Sequence, residues 1–371
     1  MPDGGGYSLA QTGLVKGRGA VSNNTPRFER EVTEAFDDGW GSLTEDMPSL
    51  HASGLRTTLT REVAKSALTY NDSPDLGFDR SINPYRGCEH GCVYCYARPS
   101  HAYLGLSPGL DFETRLMFKP DLPDILTREL SRPAYEARPV VLGANTDPYQ
   151  PVERAEGLTR RVLEVLERFG HPVTIVTKSA GVLRDADILG RLARRGLVRV
   201  CLSITTLDAK LARAMEPRAA SPIRRLETVR ALAAQGIPVA VLAAPMIPGI
   251  NDAELERILE ASAQAGASSA GYVLLRLPLE VRQIFEEWLH EHYPDRAARV
   301  LALVRQTRGG KLYDARFGQR QTGQGPYADV LGQRFDLALR RLGLDRRGGG
   351  AGRLDCSQFN PRAASRQLEL L

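Results

Sequence analysis

The 371-residue sequence predicts an α/β protein whose core is a partial, TIM-like (β/α)6 barrel, with an irregular N-terminal extension and a helical C-terminal region. Two observations lead to this prediction. Short β-branched runs alternate with amphipathic helical patterns from about residue 82. This alternation is typical of a parallel sheet with right-handed crossovers. About six strand–helix units are present, which is too few for a closed eight-stranded barrel.

The strands and helices of the predicted barrel follow one another in order. One strand leads into a cysteine-rich loop, and later strands lie at residues 140–142, 172–177, 198–204, 238–243 and 271–275. Helical periodicity covers residues 158–169, 185–195, 221–235, 252–265 and 281–290. The helix at 221–235 begins with Ser221 as a predicted N-cap and Pro222 in its first turn.

We divide the chain into four parts on composition and periodicity. Residues 1–55 are rich in Gly, Ser, Asn and Thr and predict an irregular extension. Residues 75–292 form the barrel core, 293–345 a helical region and 346–371 a flexible tail. The extension carries four scattered basic residues that we expect to be solvated: Lys16, Arg18, Arg27 and Arg30.

Composition places the chain among ordinary globular proteins. Hydrophobic residues make up 42% and charged residues 25%, and the net charge of +5 permits a nucleic-acid partner without requiring one. Five cysteines, three of them on one loop, exclude a disulfide framework and favour the reducing cytoplasm. No uninterrupted apolar run approaches the length that spans a membrane, and the first residues lack the apolar core of a signal peptide.

The most specific feature is the cysteine loop, in which Cys88, Cys92 and Cys95 follow the pattern C-x-x-x-C-x-x-C. Gly87 and Gly91 allow the backbone to fold tightly between them. Converging thiolates bind soft metals, above all zinc and iron–sulfur clusters. A cubane cluster usually takes four cysteine ligands, so three ligands leave one iron open to a substrate or cofactor.

Two other interpretations of this loop remain open. Cys88, His90, Cys92 and Cys95 are the right residue types for a structural zinc site, and the protein would then be a non-catalytic, zinc-stabilised nucleic-acid-binding module. Alternatively, Cys92 and Cys95 form a C-x-x-C redox pair, which leaves Cys88 without a role.

The cysteine pattern, followed by the aromatic Tyr96, resembles the radical S-adenosylmethionine (SAM) superfamily. More narrowly, residues 83–101 and the segments after them resemble an uncharacterised bacterial group related to spore photoproduct lyase. The resemblance implies a [4Fe–4S] cluster held by Cys88, Cys92 and Cys95, with SAM bound at its open iron. It also implies a reductant such as flavodoxin or ferredoxin, cleavage of SAM to a 5′-deoxyadenosyl radical, and hydrogen abstraction from a substrate.

Polar residues at the predicted strand ends fit this cofactor. Thr146 and Asp147 follow the second strand, where the resemblance places contacts to the SAM amino group; a plain Asx turn is the alternative. Lys178 ends the third strand, and an ammonium group buried there needs a partner, for which the SAM carboxylate is suitable. The alternative is a lysine that extends to the rim. Hydroxyls that suit the SAM ribose and carboxylate follow the fourth strand, and residues near the adenine follow the fifth strand and the cluster loop: Ser203, Thr205, Ile247 and Tyr96.

The substrate is less well indicated, and a nucleic-acid lesion is the leading hypothesis. Spore photoproduct lyase uses a cysteine near its second strand as hydrogen donor, and this chain has none there. A glycyl-radical activase or a peptide- or RNA-modifying radical enzyme would share the same motifs. Basic residues interleaved with aromatic ones favour a nucleic-acid groove, although an ordinary strand explains part of the pattern. These basic residues are Arg98, His101, Arg115 and Lys119. A second basic set lies among glycines in residues 305–327, a segment that we expect to close over the barrel mouth: Arg308, Lys311, Arg316 and Arg320.

The last five residues resemble the short peptide with which bacterial DNA-maintenance proteins dock on the sliding clamp. They are Gln367, Leu368, Glu369, Leu370 and Leu371. A polar anchor followed by leucines can fill an apolar groove. The clamp is therefore a candidate partner alongside nucleic acid, consistent with a role in DNA repair, and no membrane partner is expected.

Overall fold

The computed structural model describes residues 17–29, 56–346 and 354–363. In these residues eleven strands occur: β1 (Thr58–Arg61), β2 (Thr69–Tyr70), β3 (Arg80–Ile82), β4 (Tyr85–Arg86), β5 (Arg115–Phe118), β6 (Val140–Leu142), β7 (Val173–Thr177), β8 (Val198–Ser203), β9 (Val239–Met246), β10 (Ser269–Leu274) and β11 (Asp345–Arg346). The first α-helices are α1 (Asp111–Thr114), α2 (Leu122–Leu130), α3 (Glu153–Glu156), α4 (Leu158–Phe169), α5 (Ala186–Arg194) and α6 (Ala209–Met215). They are followed by α7 (Pro222–Ala234), α8 (Leu255–Gln264), α9 (Val281–His292), α10 (Pro294–Gln306), α11 (Gln319–Thr322) and α12 (Pro326–Leu342). Three 3-10 segments also occur: Arg98–Leu104, Ala180–Asp185 and Asp252–Glu254.

The main sheet confirms the predicted partial barrel. Strands β3, β6, β7, β8, β9 and β10 lie side by side in chain order, and every neighbouring pair is parallel. At one edge β2 is antiparallel to β3, and at the other β11 is parallel to β10, so the sheet does not close on itself. A smaller sheet has the order β1–β5–β4. The carboxyl ends of the six parallel strands therefore meet at one rim of the barrel, as in related α/β folds.

Side-chain alternation along the strands separates an outer core from an inner face. Val198, Val200 and Leu202 of β8 belong to the large buried core. Cys201, which alternates with them, is fully buried in a separate small cluster with Ala240 and Leu242 of β9. Successive strand residues point to opposite faces of a sheet, so this division follows from the strand geometry. Cys201 therefore packs as a small hydrophobic side chain.

The helices cover the outer face with the apolar stripes that the sequence predicts. In α4 the buried residues include Val162, Val165, Leu166 and Phe169. In α12 they include Phe335, Ala338 and Leu339. Burying one such side chain contributes about 1.5–3 kcal/mol, so these stripes hold the helices on the sheet. No helix of the described residues is long and apolar enough to span a membrane.

Two segments outside the barrel pack on its opposite ends. Residues 17–29 contain no helix or strand and lie against the cysteine loop, where Gly19 approaches Gly91. Residues 354–363 lie against the amino ends of the strands, where the Asn360 amide donates to the Phe169 carbonyl at 2.9 Å. The remaining residues of the predicted extension and tail, including Gln367–Leu371 with the clamp-like pattern, lie outside the described ranges.

Candidate functional site

The cysteine loop follows β4 and turns tightly at two glycines. Gly87 and Gly91 have φ values of +75° and +66°, which side-chain-bearing residues rarely adopt. A Cβ atom on Gly91 would lie 2.7 Å from Glu113 Oε2. The Cys88 amide donates to the Phe112 carbonyl at 2.8 Å, which ties the loop to α1. The predicted role of both glycines is confirmed.

The three thiols of the loop share one environment. Cys88 and Cys92 are buried and Cys95 is half-buried, and all three are free. Burial raises the pKa of Cys88 well above its usual value, and the proximity of Asp147, Cys92 and Cys95 raises that pKa further. Burial likewise raises the pKa of Cys92, although the positive charge of Lys178 opposes the change. Cys95 packs against the cluster that contains Cys88 and also against the cluster that contains Cys92, so the loop brings the three thiols close to one another. Asp147 acts on Cys88, and Lys178 on Cys92, from the neighbouring strand ends.

A fully buried arginine holds the loop from behind. Arg98 donates from Nε to the Cys92 carbonyl and from Nη1 to the Pro108 and Gly109 carbonyls, each at 2.9 Å. Its Nη2 pairs with Glu113, and neither side chain is exposed. The predicted contact of Arg98 with nucleic acid is therefore wrong, because its donors are used inside the protein.

Two further basic residues were predicted to lie on the surface but are buried. His101 is fully buried, and its Nε2 lies 2.9 Å from the Arg115 carbonyl, so it cannot contact a phosphate. Arg18, expected to be solvated, is 6% exposed and donates to the Glu113 carbonyl at 2.8 Å. Glu113 also accepts hydrogen bonds from the Gly19 and Ala20 amides at 2.9 Å. One buried carboxylate thus joins the N-terminal segment to the cysteine loop.

Asp147 lies at the end of β6 beside the loop. Its carboxylate accepts hydrogen bonds from the Thr177 hydroxyl and the Lys178 amide at 2.7 Å and from the Tyr149 amide at 2.9 Å. His90 Nδ1 is 3.3 Å from Asp147 Oδ2. Burial acts to raise the pKa of Asp147, but His90 and the hydrogen-bond donors outweigh it and lower this pKa to about 2. His90 is therefore engaged by a carboxylate. In the described ranges, no group of three or more His, Cys, Asp or Glu side chains is arranged around a single metal ion, as a zinc site would require. The cysteines of a cubane cluster bind separate irons and need not converge on one position.

Lys178 ends β7 and faces the cysteine loop. Its Nζ lies 5.7 Å from the centre of the Tyr94 ring. Within the part of the chain that the structure describes, this ammonium group forms no ion pair with a carboxylate. A half-buried ammonium without an acidic partner is costly, so the position suits an anionic ligand group.

A buried network that sequence reasoning missed lies beneath the ends of β8 and β9. Glu216 accepts hydrogen bonds from the Tyr94 hydroxyl and from Thr205 Oγ1, the latter at 2.6 Å. Arg225 pairs with the other oxygen of Glu216 and donates to the Ser203 carbonyl at 3.0 Å. Tyr94 lies between two loop cysteines in the sequence, and this position could have indicated that its hydroxyl takes part in a network near them. Glu216 and Arg225 gave none, because their contacts join residues that are distant in sequence.

The remaining predicted residues lie at the same rim. Thr146 donates to the Tyr85 carbonyl at 2.9 Å. The Tyr96 hydroxyl donates to the Ala144 carbonyl beside the end of β6. Ile247 is fully buried in an apolar cluster that includes Cys92 and Tyr94. The structure therefore brings the predicted residues together, although several of their polar groups already have partners inside the protein.

Comparison with known proteins defines the class. A model of the radical SAM superfamily matches residues 82–261, which include the cysteine loop and the ends of β6 to β9. Proteins described as uncharacterized from Mycobacterium tuberculosis and Mycobacterium bovis are 35% identical over 253 residues, covering 67% of this chain and 74% of theirs. A Methanocaldococcus jannaschii protein, also described as uncharacterized, is 26% identical over 214 residues, covering 58% of this chain and 76% of that protein. The chain belongs to the radical SAM superfamily, whose members use a [4Fe–4S] cluster and SAM and need an electron donor.

Solved structures show the same fold. Spore photoproduct lyase complexed with dinucleoside spore photoproduct has a TM-score of 0.57 at 19% identity, covering 78% of this chain and 82% of the lyase. A lyase variant with bound AdoMet and dinucleoside spore photoproduct has a TM-score of 0.56 at 18% identity and the same coverage. At this identity the likeness establishes the fold alone.

Proposed function

We propose that Cys88, Cys92 and Cys95 ligate the [4Fe–4S] cluster and that the adjacent strand ends hold SAM. The observation that carries this proposal is the placement of three close, free thiols opposite Lys178, an ammonium without an acidic partner in the described residues. Three thiolates fit a cluster with one open iron, and the unpaired ammonium fits the SAM carboxylate. When bound, the cluster and SAM supply the 5′-deoxyadenosyl radical that takes a hydrogen atom from the substrate.

The protein groups have distinct proposed roles around this cofactor. Lys178 binds the SAM carboxylate, and the Ser203 hydroxyl, which forms no hydrogen bond to the described residues, is available to SAM. Thr205 is positioned by Glu216. Thr146 and Asp147 lie on the side of the SAM amino group. Because Asp147 already has four donors, which fill the acceptor positions of a carboxylate, we assign it mainly to holding the Lys178 backbone and His90. Ile247 and Tyr96 flank the adenine.

We further propose a nucleotide lesion as the substrate, with lyase-type DNA repair chemistry in the cytoplasm and flavodoxin or ferredoxin as electron donor. The support is the shared fold with a lyase that holds a dinucleoside photoproduct, together with the net charge of +5. The loop after β6 reads Ala144-Asn145-Thr146-Asp147 and has no cysteine, so the hydrogen donor differs from that of the lyase. Free cysteines fit the reducing cytoplasm.

Anaerobic reconstitution tests the cofactor assignment. We expect about four irons and four sulfides per chain and formation of 5′-deoxyadenosine when SAM and dithionite are added. Cys92→Ala should abolish both, whereas Cys356→Ala, which changes a cysteine outside the loop, should retain both. Stoichiometric zinc with no 5′-deoxyadenosine from the unaltered protein would refute the assignment and favour the zinc module.

A further inference from the structure

A groove of about 460 Å³ opens beside the candidate site, and its charged side chains are all basic. Arg282 at the start of α9, Arg305 at the end of α10 and Lys311 in the following loop line it. Within residues 17–29, 56–346 and 354–363, none of these three side chains forms an ion pair or a hydrogen bond. Three uncompensated cations around one concave surface favour an anionic ligand.

The other lining residues make the groove suitable for a ring as well as an anion. Tyr313 lies in the groove together with the three basic side chains, and Leu277 and Leu312 add an apolar surface to its lining. Leu279 is 62% exposed at the edge and has a φ of +48°, a strained conformation for leucine that no other non-glycine among the described residues shares. Strained backbone concentrates at ligand-binding positions, so the edge of the groove has a feature that packing alone does not explain.

The groove and the candidate site share one buried apolar cluster. Leu277 and Leu312 belong to the same buried apolar cluster as Cys92 and Tyr94. Arg276, one residue before the groove, lies 5.3 Å from the Tyr96 ring centre, and its Nε is buried without a hydrogen-bond partner among the described residues. Positive charge therefore lies beside the cysteine loop, on Arg276, as well as in the groove.

Other basic residues of the same region are engaged internally. Arg308 is 1% exposed and donates to the Leu275 carbonyl at 2.7 Å. Arg320 pairs with Asp75, and Arg316 pairs with Asp314. Of the four basic residues that the sequence indicated after residue 305, only Lys311 has no hydrogen-bond or ion-pair partner for its side chain among the described residues.

We propose that this groove binds a nucleotide unit, with Arg282, Arg305 and Lys311 on phosphate and Tyr313 beside the base. Its role as the substrate subsite rests on the proposed function, but the binding itself does not. Guanidinium groups bind phosphate oxygens in pairs, and aromatic rings stack on any base, so these residue types recognise the unit without selecting its sequence. The unit is part of a nucleic-acid strand or a free nucleotide.

The test compares two triple variants with equal loss of charge. The groove variant is Arg282→Gln, Arg305→Gln, Lys311→Gln. The control is Arg230→Gln, Arg257→Gln, Arg340→Gln, which changes exposed arginines on the outer helices α7, α8 and α12. Fluorescence anisotropy of the reconstituted proteins with a labelled oligothymidylate of about twelve nucleotides measures affinity across a salt series. Thermal melting confirms that each variant is folded.

We expect the groove variant to bind at least about tenfold more weakly and the control to stay within about twofold. The slope of log affinity against log salt should fall by about 2 in the groove variant only, because each single-strand phosphate contact contributes about 0.7. Equal affinities for wild type and groove variant, or equal losses in both triples, would overturn the proposal, as would no binding by wild type of either oligothymidylate or thymidine monophosphate.

Two further measurements distinguish a nucleic-acid strand from a free nucleotide as the ligand, and the groove proposal from the cofactor proposal. Affinity that rises with oligonucleotide length, with no competition from thymidine monophosphate, identifies a strand; effective competition by the monophosphate identifies a free nucleotide. Cys92→Ala protein should retain oligothymidylate binding although it forms no 5′-deoxyadenosine. Loss of binding in the groove variant with 5′-deoxyadenosine formation intact would support the groove independently of the cofactor assignment.

Discussion

The two ends of the barrel strands differ in the partners of their buried titratable groups. At the carboxyl ends, Arg98 pairs with Glu113 and Arg225 pairs with Glu216, and all four side chains are almost fully buried. At the amino ends, the buried His171 lies between aromatic side chains, with its Nε2 2.7 Å from the Tyr135 hydroxyl. Burial lowers the pKa of His171 to about 4. One end places opposite charges in contact, and at the other end burial disfavours the charged imidazole.

This difference indicates which end carries chemistry. Buried ion pairs contribute little net stability compared with well-packed apolar residues, because desolvation offsets their attraction. Their value at the carboxyl ends is positional: Arg98 holds the Cys92 carbonyl, and Glu216 holds Tyr94 and Thr205. At the amino ends, the Phe359 ring packs against Tyr135 and Phe169. Such ring packing fixes positions less strictly than the hydrogen bonds of the carboxyl ends do.

The largest expected effect comes from breaking a pair at the carboxyl end. Arg98→Met leaves Glu113 buried without its counter-charge and should lower the free energy of unfolding by about 3–5 kcal/mol. Urea unfolding measures the change. Arg115→Met is the control: its side chain is 57% exposed and its ion pair with Asp111 is 3.7 Å long, so about 0.5 kcal/mol or less is expected. A loss below about 1 kcal/mol for Arg98→Met would show that the pair does not hold the loop.

The sequence predicts the residues at the rim of the barrel but not the buried ion pairs that hold them. Strand periodicity predicted the ends of β6, β7, β8 and β10 to within one residue, whereas β9 continues to Met246, three residues past its predicted end. Parallel strands bring their carboxyl ends together, which is why Lys178, Ser203 and Thr205 lie at one rim. The prediction for Arg98 was wrong because a basic residue among aromatic ones gives the same sequence pattern whether it lies in a surface groove or in a buried core. Glu113 and Glu216 went unnoticed since their partners are set by tertiary contacts, which leave no local pattern.

At the amino end, the neutral state of His171 should make stability depend on pH. Its pKa is about 4 in the folded protein and 6.5 ordinarily, so the unfolded chain binds the proton first. The contribution is complete above pH 6.5 and is lost as pH falls to about 4, by about 3 kcal/mol. Replacing the imidazole in His171→Gln should remove this part of the slope. Unfolding free energies across this range test it, with exposed His290→Gln as the control; an unchanged slope in His171→Gln contradicts the assignment.

Lys178 tests whether the carboxyl end leaves a charge for a ligand. Lys178→Met should weaken SAM binding by about 1.5–3 kcal/mol, the contribution of a hydrogen bond to a charged group, or roughly ten- to a hundredfold. Equilibrium dialysis against reconstituted protein measures it. Lys210→Met, on the exposed face of α6, should bind SAM as the unaltered protein does. If both variants bind equally, the unpaired ammonium serves another group.

The smallest effect we expect concerns how closely the N-terminal segment covers the loop. A Cβ atom on Gly19 would lie 1.8 Å from the Gly91 carbonyl oxygen, so Gly19→Ala must displace one backbone from the other. Overpacking of this kind costs about 1–3 kcal/mol. Gly77→Ala, where no atom lies within 4 Å of the new methyl group, should be nearly neutral. Because Gly91 lies between Cys88 and Cys92, Gly19→Ala should also release cluster iron to a chelator faster than Gly77→Ala does. Equal release rates with unequal stabilities would mean that residues 17–29 stabilise the fold without protecting the cysteine loop.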